Sequence, residues 1–308
     1  MEQATASFIT YLSHRKQLSP STLEGYSRDI GQFLEFLTDR GISEFSEVTR
    51  TGVMLYYARL RELGKAPATI ARSSVALKAF FQYLLSEKIV EQDLASAITP
   101  PKLEKALPDI LTVEETQFLL EAPDTSSSLG IRDKAMLELL YATGIRVSEL
   151  IALHIRDVDT GVRFLRCSGN TDKERILPFG PLTANWLDKY LKESRPSLGA
   201  RGDEAPLFPN RSGERISRQG IWKLLKKYAE IAGIGKEITP HTLRHSCAVH
   251  LLEGGADVRS VQEMLGHGDL ATIQLYLAQS KPNLKAVYDR FHPRAKVQED
   301  LGYEEIPE

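Results

Sequence analysis

The stretch TPHTLRHSCAVHLLEGG, residues 239–255, opens and closes a helix by its own chemistry. Thr239 can cap the free amides of the first turn, and Pro240 at the first helical position has no amide to satisfy. Gly254-Gly255 ends the helix. At about 100° per residue, Leu243, Cys247 and Leu251 share one face, the expected core side. His241 and Arg244 fall on another face, within one turn of each other. Unpaired N–H groups and the helix dipole favour an anion in that first turn, so His241 and Arg244 read as a grip on a phosphate group. His250 falls near the core face and reads as a buried or capping histidine, while His245 fits either role. The competing reading is zinc, with His241 and His245 four apart. A H-E-x-x-H helix needs glutamate where Thr242 stands, and no further ligand set is evident nearby, so no metal is expected.

Working outward, DVRSVQEMLGHGDLATIQLYL (257–277) reads as a helix capped by Asp257 and stopped by Gly266. His267 follows in the turn, and Asp269 caps a short helix that carries Tyr276. Upstream, ATGIRVSEL (142–150) places Arg146 at a helix start with Glu149 one turn along. TVEETQFLLEA and RDKAMLELLYATG read as helices, the second ended by Gly144. GVRFLRC (161–167) and ERILPF (174–179) alternate like two strands of a hairpin. The expected fold is mainly α with a small antiparallel β-sheet.

Residues 1–97 read as all helix. Ser19 and Pro20 start one segment, with Leu23, Tyr26, Ile30, Phe33, Leu34 and Leu37 at helical spacing. A second has Ile70, Val75, Leu77, Phe80, Phe81 and Leu84 as its apolar face. On it, Arg72, Ser73 and Lys78 are candidates for touching a nucleic-acid backbone, against the plainer reading of a solvated charged face. ITPPKLEKALPDILT carries three prolines and reads as a linker. The expected organisation is a helical domain at 1–97, a linker at 98–111, a second domain at 112–297 and an acidic, disordered tail at 298–308.

Composition narrows the class without naming it. Hydrophobic residues make up 42% and charged ones 26% of the 308 residues, as in soluble globular proteins. No apolar run approaches the ~18 residues that span a bilayer, and the acidic start MEQATASFIT is unlike an export signal. The two cysteines read as free thiols in a reducing compartment. A cytoplasmic protein with no membrane association is expected. The formal charge of −2 is not a basic footprint, but five acids lie in residues 298–308, leaving +3 for the rest. Charge does not decide the matter.

The order Arg146, His241-x-x-Arg244, His267 and Tyr276 resembles the tyrosine recombinase (phage integrase) family. TGIRVSEL, HTLRH and LGHGDLATIQLY carry the resemblance, which covers residues ~5 to 295. SPSTLEGYSRDI and FHPRA resemble its Xer branch, which resolves chromosome dimers, and so does the compact start with no extra leading domain. The resemblance implies a helical SAM-like core-binding domain followed by an α+β catalytic domain. It implies cleavage and rejoining of double-stranded DNA by chemistry like that of type IB topoisomerases. Tyr276 would be the nucleophile, giving a 3′-phosphotyrosine and a free 5′-hydroxyl.

Under the same resemblance, Arg146 and Arg244 bracket the non-bridging oxygens, His241 or a solvent-linked neighbour takes the phenolic proton, and His267 hydrogen-bonds the phosphate. Glu149 orients a neighbouring side chain. No cofactor is implied, and the working unit is a tetramer with an identical chain or a second recombinase. The segment PNLKAVYDRF would dock into a neighbouring subunit. One departure matters: the family's hairpin lysine, which protonates the leaving oxygen, falls here on Asn170. Either Lys173 takes that role, or the acid is absent and the chain serves as a weakened, DNA-binding or regulatory relative. Resolution of dimers and integration of mobile elements both remain open as the biological setting.

Overall fold

The structure, a computed structural model, describes residues 1–101, 109–168, 174–199, 202 and 205–266. The chain divides into two compact units, Met1–Ala106 and Leu107–Glu308, and the division falls inside the proline-rich stretch. Among the described residues, no helix is long and apolar enough to cross a membrane.

The first unit is helical: α1 (Glu2–Lys16), α2 (Pro20–Thr38), α3 (Arg50–Glu62) and α4 (Pro67–Ser86). Ser19 caps α2 by accepting a hydrogen bond from the Thr22 amide, with Pro20 behind it at the first position. The core is aromatic. Phe33 meets Tyr56 and Phe81 edge-on at 5.0 and 5.7 Å between ring centroids, and Phe80 contacts Phe8 and Phe45.

Two expectations for α4 are corrected. Val75 is 50% exposed, because it stands two residues, about 200°, round the helix from buried Leu77. Ser73 is 3% exposed: it precedes Leu77 by four residues and shares its inward face, so it cannot touch a nucleic acid. Arg72 and Lys78 are exposed. Arg72 pairs at 2.8 Å with the buried carboxylate of Asp29 on α2. Burial pushes the Asp29 carboxyl above the usual carboxylate range, and Arg72 opposes the shift.

The second unit holds α5 (Val113–Glu121), α6 (Ser128–Thr143), α7 (Val147–Ala152), α8 (Pro181–Lys189), α9 (Arg218–Ile231), α10 (Pro240–Glu253) and α11 (Val258–Leu265). Between α7 and α8 lies an antiparallel sheet in the order β1 (Val158–Asp159), β2 (Phe164–Ser168), β3 (Glu174–Pro178). The short β1 has no alternation long enough to be read from sequence. In β2 and β3, Leu165, Cys167 and Leu177 are buried while Phe164 and Ile176 are exposed, the period-two pattern of a half-buried sheet.

Helices α6 and α10 pack on each other at the centre and are covered on nearly every side. The charges that α6 carries inside are therefore paired: Lys134 with Glu138 at 2.8 Å, and Arg132 with Asp133 at 2.7 Å. Tyr228 of α9 donates to the other oxygen of Asp133.

The expected linker is shorter than 98–111 at both ends. Ile98 belongs to the first core and Leu111 to the second. The Leu111 amide donates to Ser246 Oγ at 2.8 Å, and its carbonyl lies 2.9 Å from His250 Nε2. A carbonyl only accepts, so Nε2 carries the hydrogen, and Nδ1 on the other side of the ring lies 2.9 Å from Tyr141 OH. His250 is thus a structural clasp. The acidic tail and PNLKAVYDRF lie outside the described residues.

The Phe80→Ala variant should destabilise the first unit by about 3–5 kcal/mol, read as an earlier urea transition followed by aromatic fluorescence. An unshifted transition would show that Phe80 does not anchor that core.

Candidate active site

Gly144 ends α6 in a left-handed conformation, φ +56°. A side chain would be strained at that φ, and its Cβ would lie 2.5 Å from Leu265 Cδ2 and 3.4 Å from Cys247 Sγ. The sharp exit delivers Arg146 to the N-cap of α7. Glu149, three residues on, turns back and accepts from the Arg146 amide at 2.9 Å through Oε2. Its Oε1 accepts from Arg146 Nη1 at 3.1 Å. Sequence and local capping chemistry suffice to put these two side chains together.

Thr239 caps α10 and accepts from the Thr242 amide, with Pro240 at the first position as expected. His241, in the first turn, is exposed. Its ring centroid is 6.2 Å from that of His245, and among the described residues no group of three or more His, Cys, Asp or Glu side chains is placed to hold a metal ion. Arg244 is only 2% exposed. Its Nη1 donates to the Gly144 carbonyl and its Nη2 to the Leu265 carbonyl. Helix periodicity separates Arg244 from the apolar face of α10, but other elements cover that side too. Cys247 lies beneath, and burial pushes its thiol up to about 12, with Arg244 opposing the shift.

A third arginine completes the group, and it was not among the residues singled out from sequence. Arg175 of β3 donates through Nη2 to both Glu149 oxygens at 2.7 Å, and through Nη1 to the Leu265 carbonyl at 2.5 Å. The signal was present. Arg175 and Leu177 have the same parity in β3, so the side chain must point inward, where a guanidinium needs an acceptor. Opposite Arg175 in the ladder is Cys167, whose thiol is raised by burial and lowered by Arg175.

The three guanidinium groups converge on Leu265–Gly266. A Cβ on Gly266, which has φ +79°, would come 2.3 Å from Arg175 Nη1 and 3.4 Å from Arg146 Nη1. Among the described residues, three guanidinium groups and the Glu149 carboxylate meet there, and guanidinium forks match the paired oxygens of a phosphodiester. Asn170, Lys173, His267 and Tyr276 lie outside the described residues; His267 directly follows Gly266 in the chain.

Residues 109–282 match the phage integrase family, and residues 6–88 match its N-terminal SAM-like domain. The chain belongs to the phage integrase family. Among relatives, this integrase-family chain is 44% identical over 297 residues to tyrosine recombinase XerD of Oceanobacillus iheyensis, covering 96% of this chain and 100% of the relative. It is 28% identical to XerA recombinase, a crystal structure matched over 95% of this chain and 99% of that one with a TM-score of 0.52. The post-cleavage complex of XerH with palindromic difH matches with a TM-score of 0.72 at 22% identity, over 93% of this chain and 84% of that one. At that identity the likeness concerns the fold: a helical SAM-like domain followed by a mixed catalytic domain.

Replacing Glu149 with glutamine keeps its volume and removes the charge shared by Arg146 and Arg175. Breaking a buried pair costs about 3–5 kcal/mol, and partial exposure of Arg146 reduces this to about 2–4 kcal/mol. Urea unfolding of Glu149→Gln checks this, and a wild-type midpoint would mean that the carboxylate does not hold the site together.

Proposed function

We propose that this chain is a site-specific DNA recombinase of the Xer type that cleaves and rejoins strands through a 3′-phosphotyrosine on Tyr276. The observation that carries the reading is the convergence of Arg146 and Arg244 on Leu265–Gly266, immediately before His267 in the chain. The 44% identity to a protein named tyrosine recombinase XerD supports it.

In the proposed reaction the Tyr276 oxygen attacks phosphorus and the bond from phosphorus to the 5′-oxygen breaks. A phenol with a pKa near 10 is a poor nucleophile at neutral pH, so its proton passes to His241 or a solvent-linked neighbour. His241 is exposed at the mouth of α10, where substrate can reach it. Arg146 and Arg244 bind the non-bridging oxygens, whose charge must be stabilised in the transition state, and His267 hydrogen-bonds the same group. The departing 5′-oxygen takes a proton from Lys173. Attack by the 5′-hydroxyl of another strand then reverses the step and reseals the DNA, as in type IB topoisomerase chemistry. Because the phosphoryl bond is kept as an ester, resealing needs no separate energy source.

Exposed Arg72 and Lys78 in the first unit, and Arg218, Lys223, Lys226 and Lys227 along α9 in the second, would contact DNA phosphates. Such contacts hold the duplex without reading its sequence. The working unit in this reading is a tetramer on two duplexes, with identical chains or with a second recombinase, acting in the cytoplasm.

Tyr276→Phe should abolish covalent attachment to a nicked suicide duplex while leaving its affinity unchanged, as read by denaturing gel and by mobility shift. An adduct formed by that variant would remove Tyr276 as the nucleophile. Wild-type chain that binds but never forms an adduct would leave only the DNA-binding role. Lys173→Ala should slow cleavage of ordinary DNA by about 10²–10⁴-fold, the usual contribution of general acid catalysis. It should recover on a 5′-phosphorothiolate, whose leaving group needs no proton, and an equal defect on both substrates would exclude Lys173 as the acid.

A further inference from the structure

Arg175 touches both supports of the proposed phosphate grip. Through Nη2 it chelates Glu149, the carboxylate that also holds the Arg146 backbone amide and Nη1. Through Nη1 it shares the Leu265 carbonyl with Arg244 Nη2. It thereby spans β3, the start of α7 and the end of α11, and α10 reaches the same carbonyl. Gly266 approaches so closely that any side chain there would strike Arg175 Nη1.

We infer that Arg175 is a positioning residue that sets the guanidinium groups of Arg146 and Arg244 relative to one another and fixes the point from which the chain runs on to His267 and Tyr276. The inference rests on the recombinase reading for its consequence, but not for the positioning itself. The chemistry requires a fork. One planar guanidinium can address a carboxylate and a carbonyl in two fixed directions, whereas an ammonium is a single point charge. Arg175→Lys therefore keeps a positive charge beside Glu149 and gives up the Leu265 carbonyl. A residue that merely neutralised Glu149 would be replaced by lysine without loss.

The test compares wild type, Arg175→Lys and Gly266→Ala in the full chain. Hydrogen exchange without DNA should speed up at Arg146 and across residues 262–266 in both variants. Single-turnover formation of the tyrosyl adduct at saturating DNA should fall by about 10²-fold, the scale expected when reacting groups are displaced by about 1 Å. Gly266→Ala removes the contact from the opposite side, so it tests the same node if the lysine variant fails to fold. Wild-type exchange in the variants would overturn the inference, as would full rescue of cleavage by lysine. If wild type itself forms no adduct, the recombinase reading fails, while the exchange data still decide whether Arg175 holds the two supports.

Discussion

A buried carboxylate, Glu149, is the point on which the second unit's chemistry turns. An anion taken out of water costs several kcal/mol unless it is paired and its lone pairs are filled. Glu149 meets that demand completely, with one backbone amide and two guanidinium groups. Its pairing contributes little net stability against an apolar core of the same volume, because desolvation offsets most of the attraction. What it supplies is geometry. Two arginines from distant parts of the chain are held in fixed orientation without competing for one another's space.

The same logic recurs at Leu265. A carbonyl at the end of a helix lacks an intrahelical partner, and this one is satisfied by Arg175 and Arg244. The end of α11 is therefore both an orphan acceptor filled and a node through which the hairpin and α10 meet. Glycine is required at 144 and 266 for a related reason. Both have positive φ, and a Cβ would collide with Leu265 Cδ2 at 144 and with Arg175 Nη1 at 266. Backbone freedom and close approach are demanded at the same two positions.

Burial of the central helices explains how such a polar site can be rigid. α6 is enclosed and its charged residues are tied to neighbours at hydrogen-bond distance, and buried Arg244 of α10 donates to the Gly144 and Leu265 carbonyls. Ser246 and His250, four residues apart on α10, take both backbone groups of Leu111 and so hold the start of the second unit against the helix that carries His241 and Arg244. A preorganised array of donors loses little free energy to reorganisation when charge develops on a phosphate, which is where such arrays gain over water.

Much of this was legible in the residues alone. Caps, prolines and glycines placed α2, α10 and α11 correctly, and the end of α6 at Gly144, because those signals act within one helical turn; α6 starts at Ser128 behind the Ser127 cap, four residues before the stretch read as helix. The contact of Arg146 with Glu149 is equally local. Periodicity misplaced Val75 and offered Ser73 to solvent, since a helix's buried stripe is set by what packs on it. Which side of α10 stays wet was also beyond the sequence: Arg244 sits off the apolar face, yet α11 and the end of α6 cover it. Arg175 shows the division most clearly. Its parity in β3 points it inward, but only the tertiary structure, by bringing Glu149 and Leu265 to meet it from 26 and 90 residues away, decides what an inward guanidinium binds. Local capping and periodicity are written in neighbouring residues, whereas the partner of a buried charge depends on chain segments that meet only after folding.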